Sequence, residues 1–109
     1  MRLIANIKNN ENLKRAMLFL DKNGCYLFLY DKGEDCACVE DLFFSSIEQA
    51  KNYCKEHYGI ELNLWGEIPD ALEFCQSDWI FPVRVKGREK GLPKWGKFEK
   101  FENGAWIDI

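Results

Sequence analysis

One turn signal between two apolar segments constrains the fold of this chain most strongly. Residues 21–24 read Asp-Lys-Asn-Gly and separate an apolar segment at about 16–21 from the segment Cys-Tyr-Leu-Phe-Leu-Tyr at 25–30. Asn-Gly supplies the positive φ angles of a tight hairpin, so we predict that the two segments pair as antiparallel strands. The second strand is apolar on both faces, which is typical of a strand in the middle of a sheet covered on both sides.

Further strands are predicted on either side of this hairpin. Residues 2–7 alternate between two faces with the period of a strand. A second turn at 31–35 leads into a strand over 37–44, so this part of the chain is predicted to form an antiparallel meander. Later in the chain, residues 60–65 alternate and are predicted as one more strand.

The clearest helix is predicted over about residues 46–58. Ser45 and Glu48 have the spacing of a capping box at its start. Gly59 supplies the left-handed conformation that commonly ends a helix. Apolar residues recur at spacings of three, four and four, which is one stripe facing a core: Ile47, Ala50, Cys54 and Tyr58.

The last third of the chain contains weaker patterns. Residues 69–75 are predicted to form a short helical turn that begins with a proline. Residues 79–86 alternate as a strand, which Pro82 biases towards a sheet edge. A second Asn-Gly pair predicts another hairpin, between a bulged strand at 95–102 and residues 105–109.

Together these elements predict an α+β fold, with an antiparallel or mixed β-sheet and one main α-helix packed on one face. The 109 residues fit a single domain spanning 1–109, and a hydrophobic content of 47% excludes intrinsic disorder. No run of residues approaches the ~20 apolar positions that cross a bilayer, and the apolar stretch at the start is too short for a signal peptide. We therefore expect a cytoplasmic protein without a membrane partner.

Five cysteines fit no disulfide framework and are expected to be buried thiols in a reducing compartment. Cys36, Cys38, Cys54 and His57 offer four soft ligands that zinc would accept. Cys-x-Cys is not the usual zinc knuckle, however, and Cys54 also lies on the apolar stripe of the helix. Plain thiols are the favoured interpretation, and neither a metal nor a cofactor is expected, although the sequence leaves open whether these four residues converge.

No catalytic motif is present, since the nucleophile-elbow, zinc-protease and phosphate-loop patterns are all absent. His57 is the only histidine, and it lies at the predicted helix C-terminus, where an imidazolium is stabilised without any catalytic role. Cys54 as a nucleophile with His57 as its base has poor geometry, three residues apart on one helix. The chain is not expected to be an enzyme.

Charge is unevenly distributed along this chain, whose formal net charge is -3. Residues 1–81 contain 14 acids and 8 bases, whereas residues 82–100 contain 7 bases and 2 acids. The basic segment at 84–100 suits an RNA backbone and a stacked base, but a solvated hairpin is the favoured interpretation and nucleic acid is not expected as a partner. The alternative function is a small nucleic-acid-associated or regulatory module that uses this segment through Arg84, Arg88, Lys94, Trp95 and Lys97.

Acidic residues gather beside aromatic residues in two connections of the chain. Such a surface would present a phosphate mimic to the cationic cleft of a nuclease, with charge steering the approach and aromatic anchors holding the complex. Ordinary solubility residues around core tryptophans are the other interpretation. The candidate partner contacts are Tyr30, Asp31, Glu34, Asp35, Trp65, Glu67, Asp70, Asp78 and Trp79.

Four segments resemble small bacterial immunity proteins of polymorphic or contact-dependent growth-inhibition toxin systems: YLFLYD at 26–31, EDLFFSSIEQA at 40–50, YGI at 58–60 and WGEIPD at 65–70. The resemblance covers roughly residues 25–70. It implies a cytoplasmic, non-enzymatic protein that binds and neutralises one cognate toxin domain, often a nuclease, by occluding its active site. Immunity families share no universal functional residues, so the resemblance assigns none here, and the oligomeric state stays open.

Overall fold

The computed structural model describes all 109 residues, which form two compact units, Met1–Asp70 and Ala71–Ile109. Each unit has its own antiparallel sheet, and one main helix packs on the sheet of the first unit. The predicted α+β class is therefore confirmed. The expectation of a single domain over 1–109 stays a prediction.

The first unit is built on a five-stranded antiparallel sheet with the order β4-β3-β2-β1-β5. The predicted hairpin is confirmed, because β2 and β3 pair from Arg15 opposite Tyr30 to Asp21 opposite Gly24. The positive φ predicted for the Asn-Gly turn is wrong at Asn23 and is found only at Gly24. The predicted meander is confirmed as well, with β4 on the outer side of β3. The five strands are β1 at Arg2–Asn6, β2 at Arg15–Asp21, β3 at Gly24–Tyr30, β4 at Glu40–Phe44 and β5 at Gly66–Ile68.

The turn between β2 and β3 depends on one side chain, that of Asp21, and on one glycine, Gly24. Asp21 Oδ1 accepts hydrogen bonds from the backbone amides of Asn23 (2.7 Å) and Gly24 (3.2 Å). Gly24 has a φ of 149°, and a Cβ there would lie 2.6 Å from both Phe43 Cζ and the Phe44 carbonyl oxygen. Glycine is therefore required at this position for β4 to approach the hairpin so closely.

Helix α1 spans Ile47–Tyr58 and covers one face of the sheet. The apolar stripe predicted from the sequence faces the core, with Ala50 and Cys54 fully buried. Gly59 ends the helix in the left-handed conformation, at a φ of 67°. No helix in the structure has the length and apolar character that crossing a membrane requires.

The helix begins one residue later than the predicted capping box. Ser46 is the N-cap, and its hydroxyl oxygen accepts from the backbone amide of Gln49 at 3.2 Å. Gln49 Oε1 in turn accepts from the backbone amide of Ser45 at 3.2 Å and from its hydroxyl at 2.6 Å. Gln49, rather than Glu48, therefore reaches back past the helix start, but it bonds Ser45, the residue before the N-cap, and so does not complete the reciprocal pair of a capping box with Ser46.

Three other predicted elements are wrong in part. Residues 60–65 contain a 3-10 turn at Leu62–Leu64 in place of a strand, so Ile60 and Trp65 reach the core without any pairing. The third strand begins at residue 40 instead of 37. The helical turn at 69–75 does not form, since Phe74 has a φ of 66°, outside the helical region.

The second unit contains a three-stranded antiparallel sheet with the order β6-β7-β8. The predicted strand at 79–86 shortens to β6 because Pro82 cannot donate a ladder hydrogen bond. The Asn103-Gly104 hairpin is confirmed, with φ angles of 52° and 80°. The strands are β6 at Val83–Val85, β7 at Phe98–Glu102 and β8 at Ala105–Asp108.

Candidate protein-binding surface

An acidic surface forms in the first unit where β3 ends and β4 begins. The chain bends through residues 31–35 and re-enters the sheet at Glu40, which lies opposite Leu29. The next acid, Asp41, points to the other face of β4, because successive strand residues alternate. Four exposed carboxylates around this edge of the sheet, two in the bend and one on each face of β4, make up what we call the acidic surface: Asp31, Glu34, Glu40 and Asp41.

Arg15 of β2 holds the backbone of this bend in place. Its guanidinium donates hydrogen bonds to the carbonyl oxygens of Gly33 (3.3 Å) and Glu34 (3.1 Å). The Arg15 side chain is buried, so these charge-assisted bonds are shielded from water. The Glu34 side chain is exposed, whereas its backbone carbonyl is held by the buried Arg15 side chain.

The charges of the acidic surface are not compensated within the chain. None of its four carboxylates forms a salt bridge, and Lys32 is the one base between residues 31 and 41, against five acids. Uncompensated carboxylates on neighbouring positions produce a negative potential that attracts a cationic partner. This surface is therefore suited to bind positive charge.

Two exposed apolar side chains belong to the same stretch of chain as these carboxylates. Val39 is 56% exposed and Phe43 is 53% exposed. Phe43 is on the same face of β4 as Asp41 and packs against the Tyr26 ring at a centroid distance of 5.0 Å. Exposed aromatic groups beside charges are typical of protein interfaces, since the ring provides area to bury and the charges set orientation.

Tyr30 is not available to a partner. Its side chain is fully buried, and its hydroxyl donates to Met17 Sδ at 3.7 Å. Tyr30 is therefore removed from the candidate contacts, because it is fully buried, whereas Tyr26 and Phe28 on the same face of β3 are half-buried. Asp35 is half-buried, whereas Asp31 and Glu34 are exposed.

The second group of predicted contacts lies apart from the acidic surface. Trp65 is half-buried and packs against the core, with its indole nitrogen buried and without a hydrogen-bond partner. The Asp70 carboxylate forms a salt bridge of 2.9 Å with the amino group of Met1, so its charge is compensated. Glu67 is exposed, but it belongs to β5, at the opposite edge of the sheet from β4.

The remaining two predicted contacts, Asp78 and Trp79, belong to the second unit. Both side chains are half-buried, and both are engaged in interactions of their own. Neither residue therefore offers the free charge or the exposed ring that the sequence prediction required.

The thiols and the histidine do not form a metal site. No group of three or more histidine, cysteine, aspartate or glutamate side chains is placed to hold a metal ion. Cys54 is fully buried beneath the helix, and burial raises the pKa of its thiol to about 12. His57 is exposed and packs on the Tyr53 ring at a centroid distance of 4.1 Å. A buried neutral thiol is neither a nucleophile nor a metal ligand.

Arg84, at the start of the basic segment 84–100, is largely neutralised inside the second unit. Arg84 Nε donates to Glu99 Oε1 at 2.7 Å, and Nη2 lies 3.5 Å from Glu89 Oε1. The guanidinium also lies over the Trp106 ring, 3.7 Å from its centre. Arg84 is thus a structural residue of this sheet, and it is not free to bind phosphate.

Other bases of the segment are also engaged. Lys86 pairs with Asp108 at 2.9 Å, and Lys100 pairs with Glu102 at 3.2 Å. Arg88 donates to the Phe74 carbonyl and to Gln76 Oε1 at 3.4 and 3.2 Å. Three exposed lysines of the segment have no salt bridge: Lys90, Lys94 and Lys97.

Sequence reasoning missed the apolar part of the acidic surface. Alternation within the predicted third strand held a signal for Phe43, because Leu42 and Phe44 face the core and Phe43 must face away. The contribution of Arg15 had no signal in the sequence, since it depends on a carbonyl geometry that only the folded bend creates.

Comparisons with protein-family models, with curated proteins and with solved structures find no significant match to this chain.

Proposed function

We propose that this chain is an immunity protein that binds and neutralises a cognate bacterial toxin, one whose active site is cationic, as in a nuclease. The observation that carries the proposal is the acidic surface: four exposed carboxylates without intramolecular partners, placed beside the exposed side chains of Val39 and Phe43. The resemblance of residues 25–70 to immunity proteins points the same way.

Binding would proceed in two physical stages. Long-range attraction between the carboxylates and a basic cleft raises the association rate, as in other charge-matched complexes. Burial of Phe43 and Val39 against the rim of the cleft then slows dissociation, because desolvated apolar anchors carry most of the energy of an interface. Neutralisation follows from occlusion of the cleft, and the immunity protein itself makes and breaks no bonds.

The rigidity of the bend supports this mechanism. A carboxylate on a mobile loop loses conformational entropy when it binds, whereas Glu34 is already held through its backbone by Arg15. A cytoplasmic location belongs to the same proposal, since a protein that protects its own cell must meet the toxin where the toxin acts.

Co-expression with the product of the reading frame immediately upstream tests the proposal. We expect the two proteins to co-purify and the cells to survive toxin production. The charge reversal Glu34→Lys/Asp41→Lys should lower the association rate by about tenfold or more at low salt, measured by surface plasmon resonance.

Glu11→Lys/Glu56→Lys is the matched control, because both residues are exposed acids of the first unit outside the acidic surface. It should leave the association rate within a few-fold of the unmodified protein. Failure to co-purify would reject the function. Co-purification with equal rates for the two variants would instead remove the acidic surface from the interface.

A further inference from the structure

The connection between β6 and β7 is a loop of fixed shape. Three residues close it through backbone hydrogen bonds, from the Lys86 amide to the Lys97 carbonyl (2.9 Å) and from the Lys94 amide to the Lys86 carbonyl (2.8 Å). Gly87 has a φ of 82°, and a Cβ at this position would overlap the carbonyl oxygen of Leu92. The loop, residues 86–97, is thus held by internal contacts in one conformation, and we call it the tryptophan loop.

This loop presents the most exposed large apolar side chains of the chain. Trp95 is 77% exposed and the neighbouring Leu92 is 73% exposed. Trp95 has no ring or cation contact of its own, and Gly96 adds no side chain beside the indole. A folded protein seldom leaves an indole this accessible, because burying the ring contributes more than burying almost any other side chain.

Three lysines close to this indole in sequence carry uncompensated positive charge. Lys90, Lys94 and Lys97 are exposed, and no carboxylate lies within salt-bridge distance of them. Two shallow clefts flank the loop, with volumes of about 440 Å³ and 370 Å³, and Lys94 lines both of them. Trp95 lines neither cleft, and both clefts also contain carboxylates, from Asp108 in one and from Glu89 and Glu99 in the other. The exposed indole is thus flanked in sequence by Lys94 and Lys97, the lysines that carry unpaired charge.

We propose that the tryptophan loop binds single-stranded nucleic acid, with a base stacked on Trp95 and the flanking phosphates paired with Lys94 and Lys97. Stacking on an aromatic ring with cations tracking the backbone is the general chemistry of such binding. The site is independent of the function proposed above, since it uses no residue of the acidic surface.

Two properties of the loop favour nucleic acid over a protein partner. A stable protein interface needs about 800 Å² on each side, which is more than one short loop presents, and lysine is depleted in the cores of protein interfaces. Phosphate contacts, by contrast, are commonly made by lysine. The overall charge of -3 does not prevent this binding, because charges farther away than ~8 Å are screened at physiological salt.

Fluorescence anisotropy with a fluorescein-labelled short oligothymidylate tests the proposal on the full chain. We expect saturable binding at low salt, and the Trp95→Ala variant should lose about tenfold or more in affinity. Trp95→Phe, which keeps a ring, should retain more affinity than Trp95→Leu, which keeps only apolar bulk. Circular dichroism should show unchanged folding, because the substituted side chain is exposed.

The lysines are tested through salt dependence. The Lys94→Gln/Lys97→Gln variant should lower the slope of log affinity against log salt concentration by about 1.4, the value for two phosphate contacts on a single strand. Lys8→Gln/Lys22→Gln is the matched control, since both lysines are exposed and belong to the first unit. It should leave the slope unchanged.

Three outcomes would overturn the proposal. Equal affinity of the Trp95→Leu and Trp95→Phe variants would show that no base stacks on the ring. Heparin binding as tight as oligothymidylate binding would reduce the loop to a general polyanion surface. Binding of phosphatidylglycerol vesicles, without binding of the oligonucleotide, would assign the indole and the lysines to a membrane surface instead.

Discussion

The guanidinium of Arg15 lies over the ring of Tyr30, 4.7 Å from its centre, and connects the interior of the sheet to the acidic bend. Tyr30 is buried beneath this contact, while the guanidinium donates to the carbonyl oxygens of Gly33 and Glu34. A residue that looks like a binding aromatic in the sequence is therefore part of the support for the binding surface.

Replacement of Arg15 should loosen the acidic bend without unfolding the protein. A lysine keeps the charge, but its single ammonium group cannot reproduce the planar fork that reaches two carbonyls and stacks on a ring. We expect Arg15→Lys to lower the free energy of unfolding by about 2 kcal/mol, the scale of a hydrogen bond to a charged group. Amide hydrogen exchange should become faster at residues 31–35.

Lys14 provides the control for this prediction. It precedes Arg15, is exposed, and its ammonium group donates only to the carbonyls of Asn10 and Glu11. Lys14→Arg should therefore leave exchange at 31–35 as it is. Equal exchange in the Arg15→Lys variant and the unmodified chain would show that the bend keeps its shape without the fork.

The helix start offers a test that distinguishes two neighbouring serines. Ser46 accepts the backbone amide of Gln49, so Ser46→Ala removes the partner of one of the first free amides of the helix. We expect it to cost about 1 kcal/mol in urea unfolding. Ser45→Ala removes only an exposed side-chain bond to Gln49 and should cost clearly less. A larger cost for Ser45→Ala than for Ser46→Ala would show that Ser45 is the N-cap, as predicted from the sequence.

Short-range chemistry explains which elements could be predicted from this sequence. Both hairpins and the helix are specified within a few residues: the first hairpin by Asp21 and Gly24, the second by Asn103-Gly104, and the helix by a capping serine and Gly59. The missed elements depend on longer-range geometry. Pro69 is compatible with a helix start, but the positive φ at Phe74 ends any helix there.

Of the candidate site, only the exposed charged residues could be predicted from the sequence. Acids in a turn are exposed for general reasons, and Asp31 and Glu34 are placed as expected. An aromatic side chain gives no such signal, because Tyr30 and Trp95 read alike in a sequence and have opposite burial in the structure. The pairing of charges also gives no signal in the sequence, since the Asp70 carboxylate pairs with the amino group of Met1, 69 positions away.

In the second unit, removal of Arg84 should be strongly destabilising. The variant Arg84→Met leaves the buried Glu99 carboxylate without its cation, and also removes the contact with the Trp106 ring. Breaking one partner of a buried pair costs about 3 kcal/mol, because the remaining charge stays desolvated. Arg84→Lys keeps a charge near Glu99 and should recover part of the loss. Urea unfolding followed by circular dichroism measures both, and a neutral Arg84→Met would show that the pair contributes nothing.

The buried thiols make the stability of the protein sensitive to alkaline pH. Burial raises the pKa of Cys25 to about 11 and that of Cys54 to about 12, from the usual 9.0 of a thiol. The unfolded chain therefore releases these protons first as the pH rises. The stability that the two neutral thiols contribute is complete below about pH 9 and is lost as the pH rises towards 11–12.

Two such groups give a limiting slope of about 2.7 kcal/mol per pH unit in this window. We expect urea unfolding to show a falling free energy above about pH 9, and Cys54→Ala and Cys25→Ala should each make that slope less steep. Cys36→Ala is the comparison, because burial also raises the pKa of this half-buried thiol, but by less than at Cys25 and Cys54, so its substitution should change the slope less. An identical slope in the Cys54→Ala variant would show that Cys54 contributes nothing to the loss of stability at alkaline pH.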